Sequence, residues 1–329
     1  MFLLGLGDYS GTTKKGLGHL FKNPQVTELY RFIEEHRSTF GVERMCRCLE
    51  VSRSGYYDWK GKEPSRRERA NEALTTHIKA IHEQSERLYG SPRITSELRD
   101  RGFHSNAKRV ARLMREAGIR AKTVRRFKVT TRSDQNLPVA PNLVNRRFVA
   151  DTVNQLWTSD ITYIWTREGW MYLAVILDVY SRQIVGWNAD RRLKQDLVVN
   201  ALNQALHTRA VTPGLIFHSD QGSQYAAHTV RGILRACHIR QSTSNKGDFY
   251  DNAITESFFS TLKRALVYPN RSFQTRAEAK SALFYYIEYV YNRIRKHSFL
   301  GYQSPVQYET LKNVAELPVH EKGGSTPLS

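Results

Sequence analysis

Two patterns of apolar and polar positions divide the chain, and each predicts a different kind of secondary structure. Between residues 24 and 120 apolar residues recur at helical spacing, as Val110, Leu113 and Met114 do within residues 106–118. From about residue 150 the chain changes to runs of apolar, β-branched and aromatic residues separated by short turns. The pattern therefore predicts an all-α first part and an α/β second part.

The second part opens with three predicted strands, at 155–165, 170–179 and 183–188, joined by two short turns as an antiparallel meander. Further elements then alternate along the chain: a helix (194–207), a strand ending before Asp220, a helix (226–237), a strand (238–242), a helix carrying Glu256 and a long helix (275–297). This order indicates a mixed sheet flanked by helices, as in a ribonuclease-H-like fold.

The first part contains two helical regions, at residues 23–62 and 63–120. In the first, an amphipathic segment, a tight turn and a helix that begins after Ser52 and carries Arg53 are typical of a helix-turn-helix. In the second, Gly118 is a suitable helix stop. In the helix at residues 106–118, four cations lie mostly off the apolar face and are suited to binding phosphates: Lys108, Arg109, Arg112 and Arg115. A merely solvated charged face is the alternative.

Charge is distributed unevenly over these parts. The net charge is +19, of which residues 1–150 carry +14 and residues 151–329 carry +5. A strongly basic first half indicates a polyanionic partner, most often nucleic acid, although a solvated basic surface is the alternative. A basic connector at 121–150, which includes Arg125 and Arg126, is expected to lie along nucleic acid and to separate the helical regions from a core at 151–310.

Several classes of protein are excluded by composition. The three cysteines form no metal-binding C-x-x-C pair and argue against a disulfide scaffold. No stretch reaches the roughly 18 apolar residues of a membrane span. We therefore expect a cytoplasmic protein without a membrane partner, with a loose tail at residues 1–22 and a flexible tail at 311–329.

Three acidic residues stand next to predicted apolar structure and suggest a metal site. Asp220 follows a short buried strand, Asp160 lies in a strand-like segment, and Glu256 lies in a helix-like segment, with 35 residues between Asp220 and Glu256. Carboxylate oxygens are the ligands that hard divalent cations prefer. Taken singly, each aspartate would be interpreted as a cap or turn residue, and Glu256 as a solvated helix residue. Asp178 and Asp251 are competing carboxylates that we interpret as structural, and His218 suits either proton transfer, DNA contact or packing.

The motifs around these acids resemble those of a known family. The segments Trp157–Thr162, His218–Tyr225 and Asp251–Lys263, with Tyr291–Pro305 near the end, resemble the integrase-like transposases of bacterial insertion sequences. They are most similar to the second-frame product of the insertion-sequence-3 family, over residues 24–310. The resemblance implies an integrase catalytic core with Asp160, Asp220 and Glu256 as catalytic metal ligands. It also implies a DNA contact at Lys263, two helical turns after Glu256.

The resemblance implies a DDE transposase that cuts DNA at the ends of its element and joins the freed 3′ hydroxyl to a target. Two Mg²⁺ ions, with Mn²⁺ as a substitute, would activate the attacking oxygen and stabilise the leaving one. The expected partners are double-stranded DNA (the element's terminal repeats and the target), further copies of the chain on DNA, and a first-frame product of the same element. We expect the protein in the bacterial cytoplasm, at the nucleoid.

Two alternatives remain at this stage. A hydrolytic nuclease of the same fold would cleave DNA without joining it, and carboxylate spacing alone does not separate hydrolysis from strand transfer. A DNA-binding protein derived from a transposase would do neither. The basic helical regions favour the transposase over the nuclease, and the three acids together argue against the non-enzymatic protein.

Overall fold

The computed structural model describes residues 25–61, 63, 65–122, 140–145, 147–244, 253–267 and 272–315. Its helices are α1 (Val26–His36), α2 (Val42–Cys48), α3 (Arg53–Gly61), α4 (Arg66–Gln84), α5 (Ser91–Asp100), α6 (Ala107–Glu116), α7 (Gln195–Thr208), α8 (Ser223–Ala226), α9 (His228–Ala236), α10 (Ala253–Leu262), α11 (Arg276–Phe284) and α12 (Pro305–Ala315). Its strands are β1 (Leu156–Thr166), β2 (Gly169–Asp178), β3 (Ile184–Asp190), β4 (Ile216–Ser219) and β5 (Arg240–Thr243). Two compact units, Met1–Leu74 and Thr75–Ser329, share these elements.

The first unit contains a small helical core made by α1, α2 and α3. Its buried side chains are Tyr30, Ile33, Met45, Cys46 and Tyr56. The Ser52 hydroxyl accepts a hydrogen bond from the N–H of Gly55 at 3.2 Å, so Ser52 caps α3 as the sequence predicts. Local capping and a few aromatic contacts thus define three short helices at residues 26–61.

In the second unit, α6 shows how closely sequence signals set helix ends. The Asn106 side chain accepts the N–H of Arg109 at 2.7 Å and caps the first turn. At the other end Gly118 has a φ of +67°, and the N–H of Ile119 reaches the carbonyl of Met114 at 2.8 Å. This is a Schellman ending, which confirms Gly118 as the stop.

The second unit is organised around one five-stranded sheet with the order β3-β2-β1-β4-β5. The first three strands pair antiparallel, and β4 and β5 then continue the sheet in parallel to β1. This arrangement confirms the expected mixed sheet of a ribonuclease-H-like fold. Helices cover both faces, because the strands alternate apolar residues toward each side.

Each face of the sheet has its own apolar core. One face packs Val175 and Leu177 against residues of α10, of α11 and of the segment after α11, including Phe258 and Ile287. The other face packs residues such as Trp157 against α7 and α9. Asp178 at the end of β2 is fully buried between these layers and accepts the backbone N–H groups of Asn154, Tyr180 and Ser181. Its role is therefore structural, as predicted.

Three sequence predictions of helix and strand bounds are corrected. The helix predicted at 226–237 is divided at Ala227, whose ψ of 139° is extended. The strand predicted from His238 begins at Arg240, because His238 has a φ of 54° and turns the chain. The long helix predicted to reach His297 changes after α11 to a π-helix, Tyr285–Ile294, and ends there, since Arg295 has an extended ψ of 118°. His297 then pairs with Gln303 in an isolated bridge.

Some predictions concern residues outside the described ranges, and these include Arg125, Arg126, Asp251, the tail predicted at 1–22 and residues 316–329 of the tail predicted at 311–329. The prediction of a flexible tail was wrong for residues 311–315, because these residues continue the helix α12. Among the helices that the structure does describe, none is both long enough and apolar enough to cross a membrane.

Candidate active site

The register between β1 and β4 brings two of the predicted acids together. Thr158 of β1 lies opposite His218 of β4 in a parallel pair. Asp160 lies two residues after Thr158, and Asp220 lies two residues after His218. The two acids therefore occupy neighbouring positions along β1 and the continuation of β4, where adjacent strands lie roughly 5 Å apart. Asp220 comes directly after β4 ends, at the carboxyl edge where open α/β sheets bind their ligands.

The third acid is tied to the same place by a hydrogen bond between its neighbour and β1. The Thr255 hydroxyl of α10 donates to the Thr158 hydroxyl at 2.9 Å, and both side chains are fully buried. Glu256 follows Thr255 on the first turn of α10, and its side chain is exposed. The threonine pair therefore fixes the start of α10 beside the strand that carries Asp160.

The residues that follow Asp220 hold its loop rather than provide further acids. The Asp220 carboxylate accepts the N–H of Gly222 at 3.0 Å. The Gln221 amide donates to the carbonyl of Ser244 at 3.0 Å, and the buried Tyr225 hydroxyl lies 3.0 Å from the Ser159 hydroxyl, next to Asp160. The polar residues of this motif thus connect the end of β4 to β5 and β1.

Gly222 is required at this point because its backbone approaches the carboxylate closely. A Cβ there would lie 2.9 Å from Oδ1 of Asp220 and 3.2 Å from the side-chain oxygen of Gln224. Gly222→Ala is expected to displace the Asp220 carboxylate and to lower DNA cleavage by roughly 10²-fold, since misplacing a reacting group by about 1 Å has that effect.

The measurement is the cleavage rate with the melting temperature as a second readout. Gly232→Ala is the matched control, because a Cβ on that α9 residue meets nothing within 4 Å. Equal cleavage by both variants would contradict the positioning role of Gly222.

Negative charge is concentrated around Asp160. Burial raises the pKa of Asp160 to about 8, and the charges of Asp220 and Glu256 add to this rise, whereas the Ile161 N–H, at 2.7 Å from Oδ1, opposes it. Loss of water likewise raises the pKa of Asp220, against the hydrogen bond from Gly222, and the pKa of Glu256. A cluster of acids whose ionisation is mutually unfavourable is typical of functional sites.

Lys263 is the basic residue that the structure places near this cluster. It begins the π-helical turn Lys263–Val267 directly after α10. Burial lowers the pKa of the Lys263 ammonium, and the charge of Asp160 opposes that change. A half-buried cation at this position offsets part of the negative charge and is available to a phosphate of the substrate.

The donor set fits a divalent cation by its chemistry. All three acids offer carboxylate oxygens, and burial, with the charges of Asp220 and Glu256, raises the pKa of Asp160, so a bound cation would favour its ionised form. Within the described ranges, however, no group of three His, Cys, Asp or Glu side chains is close enough to hold one ion. The structure thus brings the three acids to one edge of the sheet without closing a ligand shell among the described residues.

His218 contributes to packing rather than to the acid cluster. It is fully buried, its Nδ1 lies 2.9 Å from the Ser242 hydroxyl, and its ring meets Phe148 edge-on. The Ser242 hydroxyl also accepts the N–H of Leu143 at 2.9 Å. These bonds join β4, β5 and the segment before β1, which favours the packing interpretation of His218.

The predicted DNA-contact residues on helices have different surroundings. Lys108 and Arg115 are exposed on α6, whereas Arg112 pairs with Glu116 at 2.8 Å. Arg109 is half-buried. In the first unit, Arg53 pairs with Glu43 at 3.3 Å and lies over the Tyr57 ring. Of these cations, Lys108 and Arg115 therefore have the fewest protein partners among the described residues that would compete with DNA phosphates.

A mixed sheet with Asp160 on β1, Asp220 directly after the parallel strand β4 and Glu256 on α10 defines an integrase-type catalytic core. Family comparisons agree: models of the integrase core domain match residues 150–248 and 256–312. A model of an HTH-like domain matches residues 68–127, over most of α4 and all of α5 and α6.

Whole-chain relatives then identify the family. The chain is 45% identical over 264 residues to the "insertion element IS600 uncharacterized 31 kDa protein" of Shigella sonnei, covering 80% of this chain and 97% of that protein. It is 40% identical over 288 residues to "transposase InsF for insertion sequence IS3A" of Escherichia coli strain K12, covering 87% and 99%. The chain belongs to the insertion-sequence-3 family of transposases.

Chains of two solved structures align with this chain at low sequence identity. A chain of the simian T-cell lymphotropic virus intasome in complex with PP2A regulatory subunit B56 gamma aligns with a TM-score of 0.40 and 14% identity, covering 77% of this chain and 79% of that one. The catalytic core domain of BIV integrase aligns with a TM-score of 0.38 and 18% identity, covering 50% and 99%.

Proposed function

We propose that this protein is a DNA transposase that cleaves the ends of its insertion sequence and joins them to target DNA with Asp160, Asp220 and Glu256 as its catalytic residues. The observation that carries the proposal is their placement at one edge of the sheet, by the parallel register of β1 and β4 and by the hydrogen bond between Thr255 and Thr158. The relatives and the integrase-core match support the same activity.

The chain's own residues would act by holding the reacting groups in line. Asp160, Asp220 and Glu256 would hold two Mg²⁺ ions, or Mn²⁺ in their place. When bound, such ions supply charge neutralisation at the phosphoryl group and at the attacking and leaving oxygens. Glu256 is exposed and has three rotatable side-chain bonds, so its carboxylate can turn toward Asp160 and Asp220. Lys263 would bind a non-bridging phosphate oxygen.

Two displacements at phosphorus would follow at this one site. In the first, a water oxygen bonds to phosphorus, the bond to the 3′ oxygen breaks, and the element is left with a free 3′ hydroxyl. In the second, that hydroxyl attacks a target phosphodiester and releases the target's own 3′ oxygen, which takes up a proton. No covalent link to the protein forms in either step, so the site needs no nucleophilic side chain.

Asp220→Asn tests the assignment of the acids. The variant retains the size of Asp220 and an oxygen that can accept the Gly222 N–H, but it removes the negative charge. We expect metal-dependent nicking of a labelled terminal-repeat duplex to fall by roughly 10³-fold while the dissociation constant for the duplex changes less than about threefold. Loss of binding together with cleavage would contradict a role restricted to the reacting centre.

We further propose that α6 contacts the DNA backbone through Lys108 and Arg115, with Arg109, Arg112 and Arg53 as additional contacts. The variant carrying Lys108→Gln and Arg115→Gln should bind duplex DNA roughly tenfold more weakly at moderate salt. The slope of log affinity against log salt should fall by about 2, because two phosphate contacts are lost. Lys280→Gln, which removes an exposed cation on α11, is the control. An unchanged slope in the double variant would refute the assignment.

Partners and location follow from the same proposal. Pairing two element ends requires more than one copy of the chain on DNA, and a first-frame product of the element would act with it. The protein would work at the bacterial nucleoid. The HTH-like match and the basic first half support DNA as the principal partner.

A further inference from the structure

A second site lies within the same unit, in a cavity of about 310 Å³ beside α10. Five residues of α10 line it and lie between about 60° and 160° around the helix from Glu256: Ala253, Ile254, Ser257, Phe258 and Thr261. Asp160, Asp220 and Glu256 are not among its lining residues. The remaining wall comes from α5, the turn before β3 and the segment that follows the π-helix after α11. The cavity is therefore separate from the acid cluster but shares a helix with it.

Three arginines and one histidine face this cavity: Arg93, Arg182, Arg295 and His297. Its described lining residues include no aspartate or glutamate. Arg295 is 8% exposed, and its guanidinium donates a long hydrogen bond of 3.5 Å to the Thr261 hydroxyl. Asp178 interacts electrostatically with Arg182, but within the described ranges no acid forms an ion pair with any of the three arginines, whereas buried charges in proteins are normally paired.

Several donors in the cavity have no protein acceptor. The Nε atoms of Arg182 and Arg295 and the Nε2 atom of His297 are buried and make no hydrogen bond in the described structure. By contrast, Nε of Arg93 donates to the carbonyl of Lys296 at 2.7 Å. Buried polar atoms in native proteins almost always have partners, so the two arginine Nε–H groups indicate an acceptor that the described residues do not supply.

The cations also repel one another. Burial lowers the pKa of Arg93, and the charge of Arg295 lowers it further. Burial lowers the pKa of His297 to about 3, with further contributions from Arg295, Arg93 and Arg182. The charges of the arginines thus add to the effect of burial on both groups, which indicates a positive potential in the cavity that an anion would relieve.

The backbone of Arg182 adopts an unfavourable conformation. It has a φ of 62°, in the left-handed region that non-glycine residues seldom adopt, and its guanidinium lies 4.1 Å from the centre of the Phe299 ring. A turn of this shape would be easier for glycine or asparagine to form. The strained backbone and the stacked ring together aim an arginine at the cavity, which is a pattern expected of functional positions.

We propose that this cavity binds one phosphate group of the DNA backbone. Arginine forks match phosphate oxygens with paired hydrogen bonds, and the cavity offers three of them together with a neutral histidine. Its volume suits a phosphate with part of its sugar and is too small for a base pair. The choice of DNA over a free phosphate anion rests on the proposed function, since α10 also carries Glu256. Binding here would fix a strand relative to the site of cleavage.

The experiment combines the full-length protein with duplexes in which single phosphates are replaced by neutral methylphosphonates. Binding is measured in EDTA, for the wild type, Arg182→Gln, Arg93→Gln and the control Arg293→Gln, which removes an exposed arginine of the π-helix outside the cavity. Melting temperatures with added pyrophosphate are measured for the same proteins. Arg182 and Arg93 are only half-buried, so these variants avoid removing the most buried guanidinium.

The expected result has three parts. Pyrophosphate raises the melting temperature of the wild type and of Arg293→Gln but not of the two cavity variants. Arg182→Gln and Arg93→Gln bind the unmodified duplex roughly tenfold more weakly. One methylphosphonate position weakens wild-type binding about tenfold and has no further effect on the cavity variants, since the contact is already absent.

Other outcomes overturn the proposal. If pyrophosphate stabilisation is lost in the variants while duplex binding is unchanged, the cavity binds a free anion and the DNA assignment is wrong. If neither measurement distinguishes the cavity variants from Arg293→Gln, the cations have only a structural role. Because every readout is made without divalent metal, none depends on cleavage, and failure of the proposed catalytic function would appear separately in the Asp220→Asn comparison.

Discussion

Asp160→Asn is expected to abolish catalysis and, at the same time, to stabilise the metal-free protein. Asparagine keeps the oxygen that accepts the Ile161 N–H but removes a carboxyl group whose ionisation is made unfavourable by burial and by the charges of Asp220 and Glu256. Cleavage should fall by roughly 10³-fold, because the reacting phosphoryl group would lose the charge arrangement that stabilises its transition state. Stability should rise by about 1 kcal/mol, in the range found when a functional site gives up unfavourable charges.

The raised pKa of Asp160 determines how the stability of the metal-free protein changes with pH. The folded pKa of Asp160, about 8, lies above its ordinary value of 3.8. Between these values the folded state binds more protons than the unfolded state, so this group destabilises the protein as pH rises. In EDTA the wild type should therefore melt at a temperature that falls from about pH 5 to pH 8, and Asp160→Asn should show a shallower fall and a melting point about 2–4 °C higher at pH 8.

Asp178→Asn is the matched comparison. Both oxygens of Asp178 accept backbone N–H groups, from Asn154 on one side and from Tyr180 and Ser181 on the other. An amide there would direct its NH₂ at a donor, and the expected change is a loss of about 1–3 kcal/mol. The same chemical substitution should thus have opposite effects on stability at the two aspartates. A lower melting temperature for both variants would contradict the account of Asp160 as a functional rather than structural acid.

Gly186→Ala is expected to cause the largest loss of stability among the glycine substitutions considered. A Cβ on this β3 residue would lie 2.2 Å from the carbonyl oxygen of Ala201 and 2.9 Å from the Cβ of Ala205, both on α7. The nearest atom belongs to the helix backbone and has no side-chain freedom, so α7 would have to move away from the sheet. We expect a loss of about 2–4 kcal/mol in the free energy of unfolding.

Denaturant unfolding of full-length Gly186→Ala and Gly41→Ala provides the measurement. Gly41 precedes α2, and a Cβ there meets nothing within 4 Å, so that variant should unfold within about 0.5 kcal/mol of the wild type. If Gly186→Ala were equally stable, α7 could not pack on β3 as closely as the structure shows.

The sequence predicted the sheet well because its strands carry strong local signals. The meander before residue 190 and the strand before Asp220 appear where the alternation of residues places them, and the ribonuclease-H-like topology and the family are confirmed. Helix ends were predicted where a side chain or glycine decides them, as at Ser52 and Gly118. The ends that were wrong depend on the backbone conformation of single residues, such as Ala227 and His238, which the spacing of apolar residues does not report.

The contacts that hold the site together could not be predicted from the sequence. Thr158 and Thr255 are 97 residues apart, and their hydrogen bond exists only because α10 packs against β1. Gly222 stood inside a recognised motif, yet its need for a missing Cβ depends on where the Asp220 carboxylate lies. The arginines of the second cavity come from three distant segments with no shared local pattern, so their convergence could not be read from spacing.

The central claim, that this active site joins DNA strands, is tested most directly with a duplex that already ends in the free 3′ hydroxyl of the element's terminal repeat. This labelled duplex is incubated with the full-length protein, Mg²⁺ and a supercoiled target plasmid, with Asp220→Asn run in parallel. The account predicts label covalently joined to the plasmid with the wild type and none with the variant. Nicked plasmid without joined label would contradict strand transfer and indicate a nuclease, and joining by Asp220→Asn would contradict the assigned site.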